Sequence, residues 1–201
     1  MTHVRHSAWL VDLDGTLYTH HWVRIAMAAE LVLGGWPVIG TLRAFRSEHE
    51  RLRAAEIELA DPFREQIRRT AERTGLSASD VERTVTEWMI RRPQRWIRAF
   101  RRQELFSEID EHRRSGGRTA LVSDYPAREK LSALGLSHAF DAVVACGEPG
   151  GPCRLKPHPD GYLAAAKRLD VSPELCLVIG DREDADGKAA AAAGMAFRLI
   201  R

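Results

Sequence analysis

The chain has 201 residues, of which 44% are hydrophobic and 29% charged, and its formal net charge is +2. This is the balance of a globular protein with one large domain, or with a core and a smaller insertion. No apolar run approaches the ~20 residues of a membrane span and no early segment resembles a signal peptide, so we expect a cytoplasmic protein without membrane insertion.

The cysteines indicate whether the chain has disulfides or a zinc site, and the arginines indicate which anionic partners it can bind. The three cysteines, Cys146, Cys153 and Cys176, have no paired spacing, which favours free thiols over a disulfide framework or a zinc site. Arginines are dense between Arg43 and Arg102, a pattern that can indicate nucleic acid, anionic lipid or a phosphorylated small molecule. Because arginine outnumbers lysine along the whole chain, we interpret most of the surplus as solvated faces and expect no nucleic-acid partner.

The first predicted element is a buried strand near the N-terminus. Residues 9–11 are apolar, and two carboxylates spaced by one residue, Asp12 and Asp14, follow directly before Gly15. Alternation along a strand places both carboxylates on one face, and glycine lets the backbone approach a ligand closely. Two carboxylates at one strand tip repel each other, so the pattern predicts a divalent cation between them.

A helical block follows, from about residue 19 to 102. Apolar residues recur at helical spacing over 22–33 and 38–60, and the segments are separated by Gly34-Gly35-Trp36-Pro37. Asp61 is predicted to cap a helix that ends at Gly75, and Ser77 or Ser79 to cap another over 81–90. Pro93 opens a further short helix. We find no convincing strand in this block.

From residue 103 onward, strands and helices alternate. The predicted strands cover 119–122, 142–145, 175–179 and 196–200, and the predicted helices 103–114, 126–133, 159–169 and 186–193. This alternation indicates an α/β fold, a Rossmann-like parallel sheet with helices on both faces. Ligands bind at the carboxyl ends of such strands, where the acidic residues 12 and 14, Ser123 and Asp181 would converge. The helical block lies between the first two strands and can cover the site.

The residue types at these strand ends suit phosphoryl transfer. One carboxylate can attack phosphorus and form an aspartyl phosphate, while a second protonates the leaving oxygen and later deprotonates water. Mg²⁺ held by carboxylates reduces the repulsion between the anions. A hydroxyl such as that of Ser123 and an ammonium such as that of Lys156 can hold the remaining phosphoryl oxygens.

Four elements occur in order: Asp12-Leu13-Asp14-Gly15-Thr16, then Ser123, then Lys156-Pro157, then Gly180-Asp181 with Asp184 and Asp186. Together they resemble the motifs of the haloacid dehalogenase superfamily, specifically its phosphatases with a helical cap between the first two motifs. The resemblance implies a catalytic core of residues 1–18 and 103–201, a cap domain of residues 19–102, and Mg²⁺-dependent hydrolysis of a small phosphorylated metabolite.

The resemblance also implies roles for individual residues. Asp12 would be the nucleophile and a metal ligand, and Asp14 the general acid and base, with its backbone carbonyl meeting the metal. Thr16, Ser123 and Lys156 would bind the phosphoryl group, and Lys156 would also steady the Asp12 carboxylate. An acid two residues after the nucleophile favours a phosphatase over a dehalogenase, because halide release needs no protonated leaving group.

Two assignments stay open: the second acid of the last motif and the role of Asp124, which follows Ser123. Asp181 would be a metal ligand, and the second acid would be Asp186, which fits the longer family spacing, with Asp184 as its rival. Asp124 would contact substrate through its backbone or side chain, or would simply open a turn that ends at Pro126.

Two alternatives to a hydrolase remain at this point: a phosphate-binding or scaffold protein of the same fold without turnover, and a phosphotransferase such as a sugar phosphomutase. The aromatic content of the cap suggests a substrate with an apolar body, and its arginines suggest a second anionic group on that substrate. The sequence leaves the oligomeric state open.

Overall fold

The protein is described by a computed structural model that covers residues 6–201. Its centre is a five-stranded sheet in which every neighbouring pair of strands is parallel. The strands are β1 (Ala8–Asp12), β2 (Arg118–Ser123), β3 (Ala142–Ala145), β4 (Cys176–Gly180) and β5 (Ala196–Leu199), in the order β3-β2-β1-β4-β5. The predicted parallel sheet is confirmed.

Both faces of the sheet are covered by helices. On one face, Val11 of β1 belongs to a cluster with residues of α6 (Gln103–Arg114) and α7 (Arg128–Leu134). On the other face, Leu10 belongs to a cluster with residues of α8 (Asp160–Leu169) and α9 (Lys188–Ala192). Strand residues that point in opposite directions are therefore both buried, as a doubly covered parallel sheet requires.

Residues 20–99 form the predicted helical block. Its helices are α1 (His20–Gly34), α2 (Ile39–Ala55), α3 (Pro62–Thr74), α4 (Ala78–Val85) and α5 (Gln94–Ala99), with a short 3₁₀ turn at Trp36–Val38. Two predicted caps are confirmed: the Asp61 side chain accepts bonds from the backbone N–H groups of residues 63 and 64, and the Ser77 hydroxyl accepts from Asp80 N. These bonds satisfy amide groups that a helix start leaves without partners.

Three predicted helices have different ends in the structure. The helix predicted over 38–60 ends at Ala55, because Glu56 adopts the left-handed conformation with φ of 49°. The helix predicted over 81–90 widens into a π-helical turn at Thr86–Arg91, just before Pro93, which has no amide hydrogen to continue a helix. The helix predicted over 186–193 begins earlier, as a π-helical turn at Glu183–Gly187 that leads into α9.

The helical block packs on the sheet domain in two places. Val23 of α1 and Ile97 of α5 join the cluster on one face of the sheet. Helices α2, α3 and α4 form a separate cluster, which also contains Cys146 and Leu155 from loops of the sheet domain. The division into a core of residues 1–18 and 103–201 and a cap of residues 19–102 remains a prediction, and residues 1–5 lie outside the described part of the chain.

The two connections between the helical block and the sheet domain lie side by side. Tyr18 and Arg101 form an antiparallel bridge. Thr19 N donates to Phe100 O, and Arg102 N donates to Leu17 O, each over 2.9 Å. The chain thus enters and leaves the helical block at one point, above the tip of β1.

Within residues 6–201, we find no single helix that has both the length and the apolar composition to cross a membrane. Two segments that meet at an angle of 111°, His20–Gly34 and Trp36–Ala55, satisfy length and composition only when they are joined.

Candidate active site

The tip of β1 carries the first predicted pair of carboxylates. Asp12 is the last residue of β1 and is buried, and the Thr16 hydroxyl donates to Asp12 Oδ2 over 3.0 Å. Gly15 lies between them with φ of 99°, and a Cβ atom there would lie 2.0 Å from Asp181 Oδ2. Only glycine fits this turn, because a side chain would both strain the backbone and displace Asp181.

Lys156 joins three strand ends. Its ammonium donates to Asp12 Oδ1 over 2.5 Å, to Asp186 Oδ1 over 2.8 Å and to the backbone oxygen of Val122 over 3.2 Å. Burial opposes the charged form, but the carboxylates of Asp12 and Asp186 raise the pKa of Lys156 well above its usual value. Lys156 is therefore a buried cation with two anionic partners, and its role in steadying the Asp12 carboxylate stays a prediction.

Three carboxylates surround a possible metal position. Asp12, Asp181 and Asp186 each offer one oxygen, and these atoms lie within 4.8 Å of one another. Burial, together with the neighbouring carboxylates, raises the pKa of Asp12 to about 8 and the pKa of Asp181 to about 6. The lysine thus compensates only part of the negative charge. An all-oxygen set of this kind fits Mg²⁺, which prefers carboxylate ligands and neutralises such repulsion.

Asp14, the predicted acid and base, points to different partners. Lys130 donates to its two carboxylate oxygens over 2.6 and 2.8 Å, and the Tyr18 hydroxyl also donates to it. Burial would raise the pKa of Asp14, but the charge and hydrogen bonds of Lys130 and the bond from Tyr18 lower it below the usual value. The Asp14 side chain is therefore held as a carboxylate, away from the three acids around Lys156.

Lys130 is the main residue that the sequence analysis did not find. It lies on α7 and is buried, although lysine is seldom buried without a partner. The chain has only four lysines. A lysine on the apolar face of a short helix was therefore the one sequence feature that could have indicated a buried charge. Its partner Asp14 is 116 positions away in sequence, and no local pattern connects the two.

Ser123 and Asp124 lie at the end of β2. Ser123 is buried and its Oγ accepts a bond from Tyr125 N over 3.2 Å. Asp124 accepts from Lys156 N over 3.3 Å and from Arg53 of α2 over 3.1 Å. Of the two interpretations of Asp124, the turn is present, and the side chain also joins the helical block to the sheet domain.

The two candidates for the last acid have different surroundings. Asp186 is buried and accepts bonds from Lys156, from the Tyr162 hydroxyl over 2.7 Å and from Arg182 N over 3.3 Å. The side chain of Asp184 is 64% exposed and pairs with the Arg182 guanidinium. The π-helical turn at Glu183–Gly187 directs residue 186 inward, so the geometry favours Asp186 over Asp184.

A cavity of about 790 Å³ lies between these strand ends and the helical block. Its floor contains all the predicted acids except Asp184, together with Ser123, Lys130 and Lys156. Its upper wall carries Arg24, Arg46 and Arg53 among apolar side chains of α1, α2 and the π-helical turn, including Leu31, Leu42, Trp88 and Met89. The cavity can hold a small molecule with its anionic end on the floor.

A buried polar group connects the two sides of this cavity. His49 of α2 stacks on Tyr125 with ring centroids 4.6 Å apart, and its Nδ1 lies 3.2 Å from Gln66 Oε1. Its Nε2 lies 3.8 Å from Asp124 Oδ2 and 3.3 Å from Arg53 Nη2. Burial lowers the pKa of His49 despite the neighbouring carboxylate. A neutral imidazole therefore fills this position between the helical block and β2.

The sequence is similar to known hydrolases. A family model of haloacid dehalogenase-like hydrolases matches residues 7–194. Phosphoserine phosphatase from Thermus thermophilus is 32% identical over 143 residues, which cover 68% of this chain and 53% of that protein. Glyceraldehyde 3-phosphate phosphatase from Methanopyrus kandleri is 44% identical over 73 residues, covering 36% of this chain and 30% of that protein. The chain thus spans about half the length, or less, of these curated relatives.

Among solved structures, L-2-haloacid dehalogenase from Xanthobacter autotrophicus matches with a TM-score of 0.66 and 19% identity. The match covers 96% of this chain and 77% of that structure. At this identity the likeness concerns the fold, and the chemistry has to be inferred from the residues of the site.

The buried His49 generates a prediction about stability and pH. Its pKa is lowered in the folded protein, so the unfolded chain takes up a proton near pH 6.5 that the folded protein does not. The free energy of unfolding should therefore fall as the pH drops below about 6.5, and His49→Gln should reduce that slope. Urea unfolding at several pH values measures how the free energy of unfolding depends on pH, and the exposed His138→Gln serves as the control. Equal slopes for the wild type and His49→Gln would contradict the prediction.

Proposed function

The chain belongs to the haloacid dehalogenase-like hydrolases, and from that membership we propose that it is a Mg²⁺-dependent phosphatase that hydrolyses a small phosphate monoester through an aspartyl phosphate. The observation that carries the proposal is the cluster at the strand ends: Asp12 held by Lys156, with Asp181 and Asp186 around one position at the floor of the cavity. Both curated relatives named above are phosphatases by name.

Three side chains are suited to hold the metal: Asp12, Asp181 and Asp186, with the backbone carbonyl of Asp14 as a further proposed ligand. The three carboxylates are closely spaced, and the raised pKa values of Asp12 and Asp181 are the sign of negative charge that a cation would stabilise. When bound, Mg²⁺ would neutralise charge on the phosphoryl oxygens and orient them towards Asp12.

In the first step, a carboxylate oxygen of Asp12 forms a bond to phosphorus and the ester P–O bond breaks. The leaving alkoxide takes a proton from Asp14, so an alcohol departs and a phosphoryl group remains on Asp12. Lys156 and Ser123 hold the phosphoryl oxygens, where negative charge spreads in the transition state, while the buried Thr16 hydroxyl donates to Asp12 and orients the nucleophile. In the second step, Asp14 removes a proton from water, which attacks phosphorus and releases inorganic phosphate and free Asp12.

The acid step requires a protonated Asp14, whereas Lys130 and Tyr18 hold this side chain as a carboxylate. The conformation described here therefore suits the second step, in which Asp14 accepts a proton. We infer that Asp14 leaves Lys130 to deliver a proton to the leaving group. Lys130 is then a positioning residue, because it fixes the position of the Asp14 carboxylate before that carboxylate accepts a proton from water.

The helical block is proposed as a cap that selects the rest of the substrate. Arg24 and Arg46 line the upper wall of the cavity, and within residues 6–201 neither has an ion pair with a side chain. They are placed to meet a second anionic group, and the apolar side chains beside them to meet a carbon skeleton. A small phosphorylated metabolite fits this cavity, and the free thiols Cys146, Cys153 and Cys176 support our expectation of a reducing, cytoplasmic location.

The first experiment measures phosphate release from a panel of esters, with and without Mg²⁺. The panel contains sugar phosphates, phosphorylated amino and hydroxy acids, and phosphates of apolar alcohols. We expect Mg²⁺-dependent release that Asp12→Asn lowers by about a thousandfold or more, because the amide cannot attack phosphorus. The exposed Asp110→Asn is the control. A folded wild type that releases phosphate from no ester would favour the alternative without turnover, and transfer to an alcohol in place of water would favour a phosphotransferase.

A second experiment compares the two rival acids. Asp186→Asn should raise the Mg²⁺ concentration needed for half-maximal activity by about tenfold or more, since the amide is a weaker ligand and disturbs Lys156. Asp184→Asn should leave that concentration unchanged, because Asp184 pairs with Arg182 at the surface. A Mg²⁺ titration of both variants measures this; the reverse order of effects would assign the last motif to Asp184.

A third experiment tests Lys130. Lys130→Met should lower kcat by about ten- to a hundredfold, because Asp14 loses its orientation, with little change in KM, since Lys130 bonds to Asp14 and to no phosphoryl-binding group. The exposed Lys167→Met should retain the wild-type kcat. If Lys130→Met raises KM and preserves kcat, Lys130 binds substrate and does not position the base.

A further inference from the structure

The exposed apolar side chains of this protein are concentrated on one short segment. Nine large hydrophobic residues of the described chain are exposed, and five of them lie between residues 22 and 36. They are Trp22 (52% exposed), Ile25 (48%), Val32 (61%), Leu33 (87%) and Trp36 (69%). We name these five residues the apolar stripe. Scattered exposed leucines are ordinary on a surface, but a group of this size marks a place of contact.

Helix α1 has three faces, and four of the five stripe residues, all except Trp36, lie on one of them. The first face packs on the protein through Val23 and through Glu30, which accepts from Trp96 Nε1 over 2.6 Å. The second lines the cavity with Arg24, Ala28 and Leu31. At 3.6 residues per turn, residues 22, 25, 32 and 33 share the remaining arc of about 100°. Packing and the cavity account for only part of this third face: Trp22 stacks on Phe100 and Ile25 also lines the cavity, but Val32 and Leu33 are absent from the cavity lining.

The tryptophans lie at the two ends of the stripe. Trp22 stacks on Phe100 with ring centroids 6.3 Å apart, and the Trp36 indole donates to Val32 O over 3.1 Å at the end of α1. Each ring is thus held by one contact with the protein, while about half or more of each residue is exposed. Tryptophan is the side chain most suited to the boundary between water and lipid, because it combines a large apolar ring with one polar N–H group.

The elements that carry and support the stripe are strongly basic. Residues 20–46 and 88–102 together contain nine arginines and one acidic residue, Glu30. Glu30 is bonded to Arg95 and lies 3.6 Å from Arg92, while Glu87 and Glu129 pair with Arg92 and Arg91 from outside these ranges, which still leaves the segment with a net positive charge. The arginines are Arg24, Arg43, Arg46, Arg91, Arg92, Arg95, Arg98, Arg101 and Arg102.

The positive charge around the apolar stripe indicates which kind of partner binds there. A second copy of the chain, packed stripe to stripe, would bring two arginine-rich segments together and repel. An anionic lipid surface attracts the arginines and accepts the apolar side chains at the same time, as it does for amphipathic helices that lie in the membrane plane. We propose that α1 and Trp36 bind the surface of an anionic phospholipid bilayer, with the apolar stripe inserted among the lipids and no segment spanning the membrane.

The proposal is independent of the catalytic function, but the two share α1. The helix that would lie on lipid also forms a wall of the cavity through Leu31 and Ala28. Binding to a bilayer would therefore hold that wall at the membrane surface, where a phosphate ester with an apolar body is most concentrated.

The experiment is flotation of the full chain with vesicles of phosphatidylcholine alone and of phosphatidylcholine with phosphatidylglycerol. We expect binding to the anionic vesicles, weaker binding in high salt, and little binding to the neutral ones. The double variant Val32→Glu with Leu33→Glu should lower partition into anionic vesicles by about tenfold or more. Both positions are highly exposed, so the variant should keep the thermal unfolding profile of the wild type.

The matched control is Leu163→Glu with Leu175→Glu, two exposed leucines of the sheet domain that should leave vesicle binding unchanged. Absence of binding to anionic vesicles, or equal binding by wild type and the stripe variant, would overturn the proposal. So would a concentration-dependent dimer, measured by light scattering, that the stripe variant dissociates, because it would assign the stripe to a second copy of the chain.

Discussion

The contact of Lys156 with Asp12 and Asp186 is the interaction on which the site depends. It joins the end of β1, the loop that follows β3 and the turn that follows β4, three places that are far apart between residues 12 and 186 of the sequence. Buried charges of this kind are costly without partners, so the fold must bring all three loops together to satisfy any one of them. The parallel order of the strands does this, since it places β1 at the centre of the sheet with β2 and β4 on either side.

The same interaction limits which residues and backbone conformations the surrounding turns can have. Gly15 and Gly180 lie where any side chain would collide with Asp181 and Asp186, respectively. The turn at Glu183–Gly187 is widened to a π-helical form, which directs Asp186 towards Lys156 while Asp184 stays in water. The turn glycines and the irregular helix start are thus consequences of packing three carboxylates around one position, and local propensity alone does not dictate them.

Much of this arrangement could be predicted from the sequence, because it follows from strand ends. An apolar run that ends in Asp12, in Ser123 or in Gly180-Asp181 fixes which edge of a parallel sheet carries the polar groups. The contacts that escaped prediction involve groups whose neighbours depend on how helices pack. Lys130 meets Asp14 only because α7 lies on one face of the sheet, and Arg53 meets Asp124 only because α2 lies over β2.

The paired connections at Tyr18 and Arg101 bear on how such a protein can change over evolutionary time. Because the helical block leaves and rejoins the sheet domain at adjacent backbone positions, its removal or replacement would leave a gap that a short turn can close at small entropic cost. The connections therefore permit exchange of the block as a unit, and under the proposed function a different block would change the substrate without rebuilding the sheet. A replacement block would have to cover Cys146 and Leu155, and Tyr18 would have to be retained, because it belongs both to the joint and to the hydrogen bonds of Asp14.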